Sequence, residues 1–186
     1  LLMEFHGSAE STAIDIAATR EVLERHGGSG FVQTTDEAER RKLWQARHDT
    51  SLACRSLVKN AKNFATDVCV PISRLADCVE ATQQDLAETR LIAPIVGHVG
   101  DGNFHLTLLC NMEDADEIER CRLFLHRLVE RSLAMEGTCT GEHGVGQEKM
   151  KYLLKEYNTA TLDVMRSIKR ALDPMNIMNP GKIVVV

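Results

Sequence analysis

No apolar stretch in this chain approaches the roughly 20 residues that a membrane-spanning helix needs. Its six cysteines (54, 69, 78, 110, 121 and 139) include no Cys-x-x-Cys pair. They fall in apolar or helical contexts and read as reduced, buried thiols of an intracellular protein. Neither His-x-x-x-His nor His-Glu-x-x-His spacing occurs, which excludes the helical zinc-protease motif. Internal repeats and low-complexity tracts are missing. So is any excess of positive charge: the net charge is −5, with both signs mixed throughout. That balance argues against a nucleic-acid or anionic-membrane surface. The first residues carry neither an initiating Met nor a signal-peptide pattern. Leu1-Leu2-Met3-Glu4-Phe5 reads as a strand already under way, so a piece of a larger protein is expected.

The 186 residues are 44% hydrophobic, enough for the core of one domain. The chain is organised around Gly97-His98-Val99-Gly100-Asp101-Gly102-Asn103-Phe104-His105. Apolar runs, Ile95-Val96 and Leu106 to Leu109, flank it. Asp-Gly between such runs signals a two-residue hairpin turn. On that reading His98 sits directly opposite His105. Opposed residues share a face with Cβ atoms roughly 4.5–5.5 Å apart, close enough for two imidazoles to hold one cation.

Elsewhere, periodicity and stop signals predict strands at 1–6, 31–33 and 64–70, the last ended by Pro71. Helices are expected over 8–26, from a capping box at Asp36 and Glu39, and from a Ser73 cap to about Glu88. Residues 48–63 read as helix fraying into loop. A long helix from about Ala115 to Met135 carries Ile118, Cys121, Leu125 and Leu128 on its core stripe. The last helix, 158–172, points Leu162, Met165, Ile168 and Leu172 inward and stops at Asp173-Pro174. The order β-α-β-α-β-α-β-β-α-α, with a tight turn joining its central strands, predicts an α+β fold. Helices would pack on one face of an antiparallel sheet.

The segment Gly137-Thr138-Cys139-Thr140-Gly141-Glu142-His143-Gly144-Val145-Gly146 is too glycine-rich for regular structure and lets the backbone approach something closely. Glu142 can complete a two-histidine, one-carboxylate set with His98 and His105. Three protein ligands leave positions open, as catalytic metal sites require. Such a set suits Zn, Mn or Fe(II). His143 is expected to point elsewhere, free to act as a base near neutral pH. The residues alone leave three readings open: a metal-assisted dehydrogenase, a self-contained non-haem iron oxygenase or metallohydrolase, and a non-catalytic binding module.

Five stretches carry a resemblance: Leu43-Trp44-Gln45-Ala46-Arg47, Thr66-Asp67-Val68-Cys69-Val70-Pro71, residues 97–105, residues 137–146, and Leu172 to Lys182. Together they resemble the C-terminal domain of FAD-linked oxidases of the vanillyl-alcohol-oxidase type. Within that family the D-lactate dehydrogenase group is nearest, with glycolate oxidases and D-2-hydroxyglutarate dehydrogenases as cousins. The resemblance implies a ferredoxin-like domain, residues 1–186, that covers a flavin held by a separate N-terminal domain outside this chain. It implies FAD and a divalent metal, Zn or Mn with Fe allowed, bound by His98, His105 and Glu142. His143 would be the catalytic base, Arg47 and Thr107 would contact the substrate, and Asn179, with Glu142, would lie at the cofactor.

The implied partners are a small D-2-hydroxy acid and an electron acceptor: a quinone, a cytochrome or an electron-transfer flavoprotein. A homodimer is compatible with it. The setting would be intracellular: bacterial cytoplasm, membrane-peripheral or mitochondrial. The isolated piece would have no turnover. In the enzymes for larger diacids a lysine stands where this chain has Ala65, which favours a small monoacid such as D-lactate.

Overall fold

One strand, β4 (Asn103–Cys110), is the axis on which every other strand depends. Its residues alternate between two environments, as the period of a strand dictates. Phe104, Leu106, Leu108 and Cys110 enter the buried core. Asn103, His105, Thr107 and Leu109 face the other way. The computed structural model describes residues 1–186. They divide into two units, 1–48 and 49–186.

The first unit contains α1 (Ala9–Arg25) and most of α2 (Glu37–Arg55). The Ser8 hydroxyl caps α1 by accepting from Ser11 N at 3.1 Å. Asp36 Oδ1 accepts from Glu39 N at 2.9 Å, so the expected cap forms. Arg40 Nη1 meets Glu4 Oε1 at 2.6 Å and ties the opening segment to α2. Residues 1–6 and 31–33 are not strands, contrary to their pattern. A strand needs a ladder partner, and neither segment has one. The four-residue spacing of Ile14, Ala18 and Val22 suggests an inward stripe on α1, but Ile14 and Val22 are exposed.

The second unit holds the sheet. β1 (Lys62–Ala65) and β2 (Val68–Cys69) both pair antiparallel with β4. Lys62 faces Cys110 and Cys69 faces Asn103, so the two lie along β4 in a single register. The expected strand at 64–70 is therefore present but broken. At the break, the Thr66 hydroxyl accepts from Leu106 N at 2.8 Å in place of a ladder carbonyl. Carried across the break, the register sets Asp67 opposite His105 and Ala65 opposite Thr107.

β3 (Ile95–His98) pairs with the other edge of β4. Its connection is not a two-residue turn. A 3₁₀ turn over Val99–Asp101 is followed by Gly102 with φ of +70°. Val70 N donates to Gly102 O at 3.0 Å, and a Cβ on Gly102 would lie 2.0 Å from Val70 O. This contact, from the residue after β2, goes with the longer loop. His98 consequently faces Asn103, and Val96 faces His105. The slip is two residues, so His98 and His105 still share a face.

Helices α3 (Ile72–Thr89) and α4 (Ala115–Ala134) supply the rest of the core. Pro71, not Ser73, is the N-cap of α3. Asp114 caps α4 through Asp116 N and Glu117 N at 2.9 and 3.0 Å. Cys121, Phe124 and Leu128 are fully buried, with Ile118 and Leu125 packed against them. Asp85 on α3 accepts from Arg127 at 2.6 Å and Arg131 at 2.8 Å, which joins the two helices. All six cysteines are free thiols. After the glycine-rich loop come a short helix, α5 (Leu153–Glu156), and α6 (Thr159–Leu172). Of the α6 stripe only Leu162 is buried; Ile168 and Leu172 are exposed.

The loop at 137–146 is held onto the sheet mainly by Asp67, which is 2% exposed. Its Oδ2 accepts from Thr140 Oγ1, Gly141 N, Glu142 N and His143 N at 2.8–3.0 Å. Its Oδ1 accepts from Asn103 Nδ2 at 2.8 Å. Burial pushes this carboxyl up. The bonds from His143, Asn103 and Thr140, then the Lys149 charge, outweigh it and hold the pKa at about 2.

Two outcomes follow from these contacts. Asp85→Ala strands the two arginines beside a carboxylate-sized gap. It is expected to cost about 3 kcal/mol, read from the urea midpoint at neutral pH. Asp67 has a folded pKa below its ordinary 3.8, so its contribution is complete above that value and disappears as pH falls towards 2. Linkage gives about 2 kcal/mol over that window. Unfolding free energies at pH 5 and pH 2 should show a steeper fall for the native chain than for Asp67→Asn.

Candidate metal and substrate site

The side of β4 that turns away from the core presents His105, and β3 adds His98 to that side. The two ring centroids are 6.1 Å apart. The glycine-rich loop then brings Glu142 between them. Glu142 Oε1 lies 3.6 Å from His98 Nε2 and 3.8 Å from His105 Nδ1. It also lies 3.7 Å from His143 Nε2. Ligands bound to one cation at about 2.1 Å stand roughly 3–3.5 Å from each other. The spacing here is only slightly wider.

His143 does not point away from Glu142 as its neighbouring position suggested. Strict alternation of side chains belongs to strands, and this loop curls its successive N–H groups onto Asp67 instead. The His143 ring therefore stands 5.4 Å from that of His105. Distances alone draw the tightest trio as His105, Glu142 and His143, whose donor atoms lie within 4.8 Å of one another. His98 shares the same carboxylate oxygen.

Two observations bear on whether a cation fits. His105 Nδ1 is buried and has no hydrogen-bond partner, an arrangement that costs free energy unless something supplies one. Burial first, and then the nearby His143, push the His105 pKa down against the pull of Glu142. The ring is therefore neutral at pH 7, the form that coordinates a metal. Imidazoles and one carboxylate make a donor set for a borderline divalent ion. The residues fit the group. The site is open, with about half of the Glu142 and His143 side chains exposed.

Gly141 is required where it stands. A Cβ there would lie 1.9 Å from Asn103 Nδ2 and 2.7 Å from Asp67 Oδ1. Asn103 spends its amide hydrogens on Asp67 Oδ1 and on Val68 O at 3.0 Å, and its own Oδ1 is buried without a partner. Lys149 Nζ donates to Asp67 O at 2.8 Å and lies 3.6 Å from Asp67 Oδ2.

None of Asp67, Asn103 and Lys149 stood out as a site residue in the sequence. An acid at the head of the apolar run Val68 to Val70 was the available signal for Asp67. Nothing comparable marks Lys149. The other expected site residues lie elsewhere. Thr107 is buried on the site face two residues from His105. Arg47 is on α2 in the first unit. Asn179 is exposed, with φ of +47°, in the turn after α6. That turn is held by Asp173, which accepts from Ile177 N and Met178 N at 3.0 and 2.9 Å.

Residues 1–183 match the family model described as FAD linked oxidases, C-terminal domain. A probable mitochondrial D-lactate dehydrogenase of Danio rerio is 46% identical over 98% of this chain and 37% of that protein. D-lactate dehydrogenase (cytochrome) 1, mitochondrial, of Saccharomyces cerevisiae is 44% identical over 83% of this chain and 27% of its own length. The glycolate oxidase subunit GlcD of Bacillus subtilis is 34% identical over 98% of this chain and 38% of that protein. The chain thus spans between 27% and 38% of these relatives.

Among solved structures, 4-ethylphenol oxidase from Gulosibacter chungangensis, in complex with isoeugenol, matches 97% of this chain and 38% of its own, with a TM-score of 0.67 at 18% identity. That likeness shows the α+β fold. No helix is long and apolar enough to cross a membrane. With the family model matching nearly every residue, this chain belongs to the FAD-linked oxidases, as their C-terminal domain.

Proposed function

We propose that this domain is the substrate- and metal-binding part of a flavin-dependent dehydrogenase that oxidises a small D-2-hydroxy acid, D-lactate to pyruvate. The observation that carries the reading is the convergence of three imidazole nitrogens on one Glu142 oxygen, at 3.6–3.8 Å. His98, His105 and Glu142 would hold a divalent cation, which would supply Lewis acidity towards the substrate hydroxyl. The flavin, held mainly outside this chain, would supply the two-electron acceptor.

His143 takes the substrate hydroxyl proton at Nε2, the ring nitrogen that faces Glu142. Arg47 clasps the substrate carboxylate through its planar fork. Thr107 would bound the substrate on the sheet side, and Asn179 would lie at the flavin. The register supports a small acid: Ala65 offers a methyl group across from Thr107, where a second carboxylate would need a cation. The names of the D-lactate dehydrogenase relatives point the same way. The electron acceptor would be a quinone, a cytochrome or an electron-transfer flavoprotein, in a mitochondrial or bacterial setting.

A second assignment at the same site is favoured by distance. The tighter trio uses His143 in place of His98. Metal content and turnover of the full-length protein separate the two. His98→Ala and Glu142→Ala should lose bound metal. His143→Ala should keep it while kcat falls by roughly 10³-fold, within the range for removing a general base. Loss of metal from His143→Ala with retention in His98→Ala would exchange the two roles. Full metal in all three variants would remove the site.

A further inference from the structure

Asp67 stands on the site face opposite His105, but it is buried and its carboxylate is turned to the loop donors. Both of its oxygens are engaged by donors from the chain. Oδ2 receives Thr140 Oγ1 and three successive main-chain N–H groups, and Oδ1 receives Asn103 Nδ2. Successive N–H groups converging on one anion form a concave nest, whose backbone angles are set by the anion. In this nest the three N–H groups belong to Gly141, Glu142 and His143. Setting their backbone sets the directions in which the Glu142 and His143 side chains leave it.

The loop is also confined from the other side. Gly141 packs so closely on the Asn103 amide that a Cβ would lie 1.9 Å from its nitrogen. That amide cannot turn, because its hydrogens are committed to Asp67 Oδ1 and Val68 O. Lys149 grips the Asp67 main chain from a third direction.

We propose that Asp67 is the positioning residue of the site: from its place beside β4 it fixes the loop that carries Glu142 and His143 in register with His105. The inference rests on the functional reading above for what the positioned groups do. It does not rest on it for the positioning itself. Asp67 touches neither substrate nor cation. It acts by converting a glycine-rich segment into a rigid mount referenced to the same strand pair that presents His105.

The test uses Asp67→Asn and the milder Thr140→Val in the full-length protein. Amide exchange and Mn²⁺ affinity are the readouts. Losing a bond to a charged acceptor should speed exchange at Gly141, Glu142 and His143 by roughly 10- to 100-fold in Asp67→Asn, while β4 amides stay as slow as in the native protein. Mn²⁺ affinity should fall by roughly 10- to 100-fold, with Thr140→Val shifting both readouts the same way and less. Unchanged loop amides would overturn the inference. So would acceleration of β4 and loop amides together, which is the signature of a merely stabilising residue. Should Asp67→Asn fail to fold, Thr140→Val alone decides, by whether its loop amides accelerate apart from β4. If Glu142→Ala leaves Mn²⁺ affinity unchanged, the metal reading fails, and the loop amides still decide the role of Asp67.

Discussion

A carboxylate buried to 2% exposure is costly to keep ionised. Asp67 stays ionised only because the chain surrounds it with donors, and this requirement shapes the second unit. The Thr140 hydroxyl, three loop amides and the Asn103 side chain must all be present at once. Four of these five donors come from residues 140–143, so the loop has few conformations that satisfy the charge. Gly141 follows from the same constraint, since the space for its Cβ is already occupied by Asn103 and Asp67. Hydrogen bonds matter more here than the neighbouring cation. Burial pushes the Lys149 pKa down despite Asp67, and its charge ranks behind the bonds from His143, Asn103 and Thr140 in stabilising the carboxylate.

The sheet makes this arrangement useful. The core face of β4 gives Phe104, Leu106 and Leu108 to the helices, and its other face carries Asn103, His105 and Thr107. A polar residue on the core face would need a partner among α3 and α4. On the opposite face it can serve the loop or the site. The break between β1 and β2 belongs to the same design. The Thr66 hydroxyl keeps Leu106 N satisfied while the main chain at Asp67 leaves the ladder. Strand continuity is interrupted at the one residue that must reach the loop.

Much of this was legible where the signals are local. Asp36 caps its helix through Glu39, as their spacing indicates, and the runs after Ser8 and Asp114 have helical spacing. Strand-like pattern without a partner misled at 1–6 and 31–33, because a ladder is a property of two segments. Asp101-Gly102 fits a two-residue turn as a dipeptide. The longer loop follows from Val70, some thirty positions away, which packs against Gly102. The shared face of His98 and His105 survived that error because a slip of two residues keeps parity. Glu142 could be paired with them from residue type alone. The anchor could not: the loop donors to Asp67 lie 73 to 76 residues from it in the chain, and no spacing rule relates them. The exposed stripe residues of α1 and α6 show the opposite case, a helical period read correctly and a burial inferred from it that the chain does not provide.

The two kinds of ligand element differ in what it takes to hold them. A histidine on a central strand such as β4 inherits its order from ladder bonds on both edges. A glutamate in a segment with four glycines in ten residues inherits almost none, since glycine carries the largest backbone entropy of any residue. Left alone, such a loop would sample many positions for its carboxylate, and the average affinity of the site for any cation would fall by the fraction of time the loop is misplaced. Glycine is nevertheless needed, because only a residue without Cβ lets the backbone close on Asp67 and Asn103. Flexibility in the sequence and rigidity in the fold are thus two sides of one solution. The glycine permits an approach that side chains would block, and the buried charge then removes the freedom that the glycine introduced.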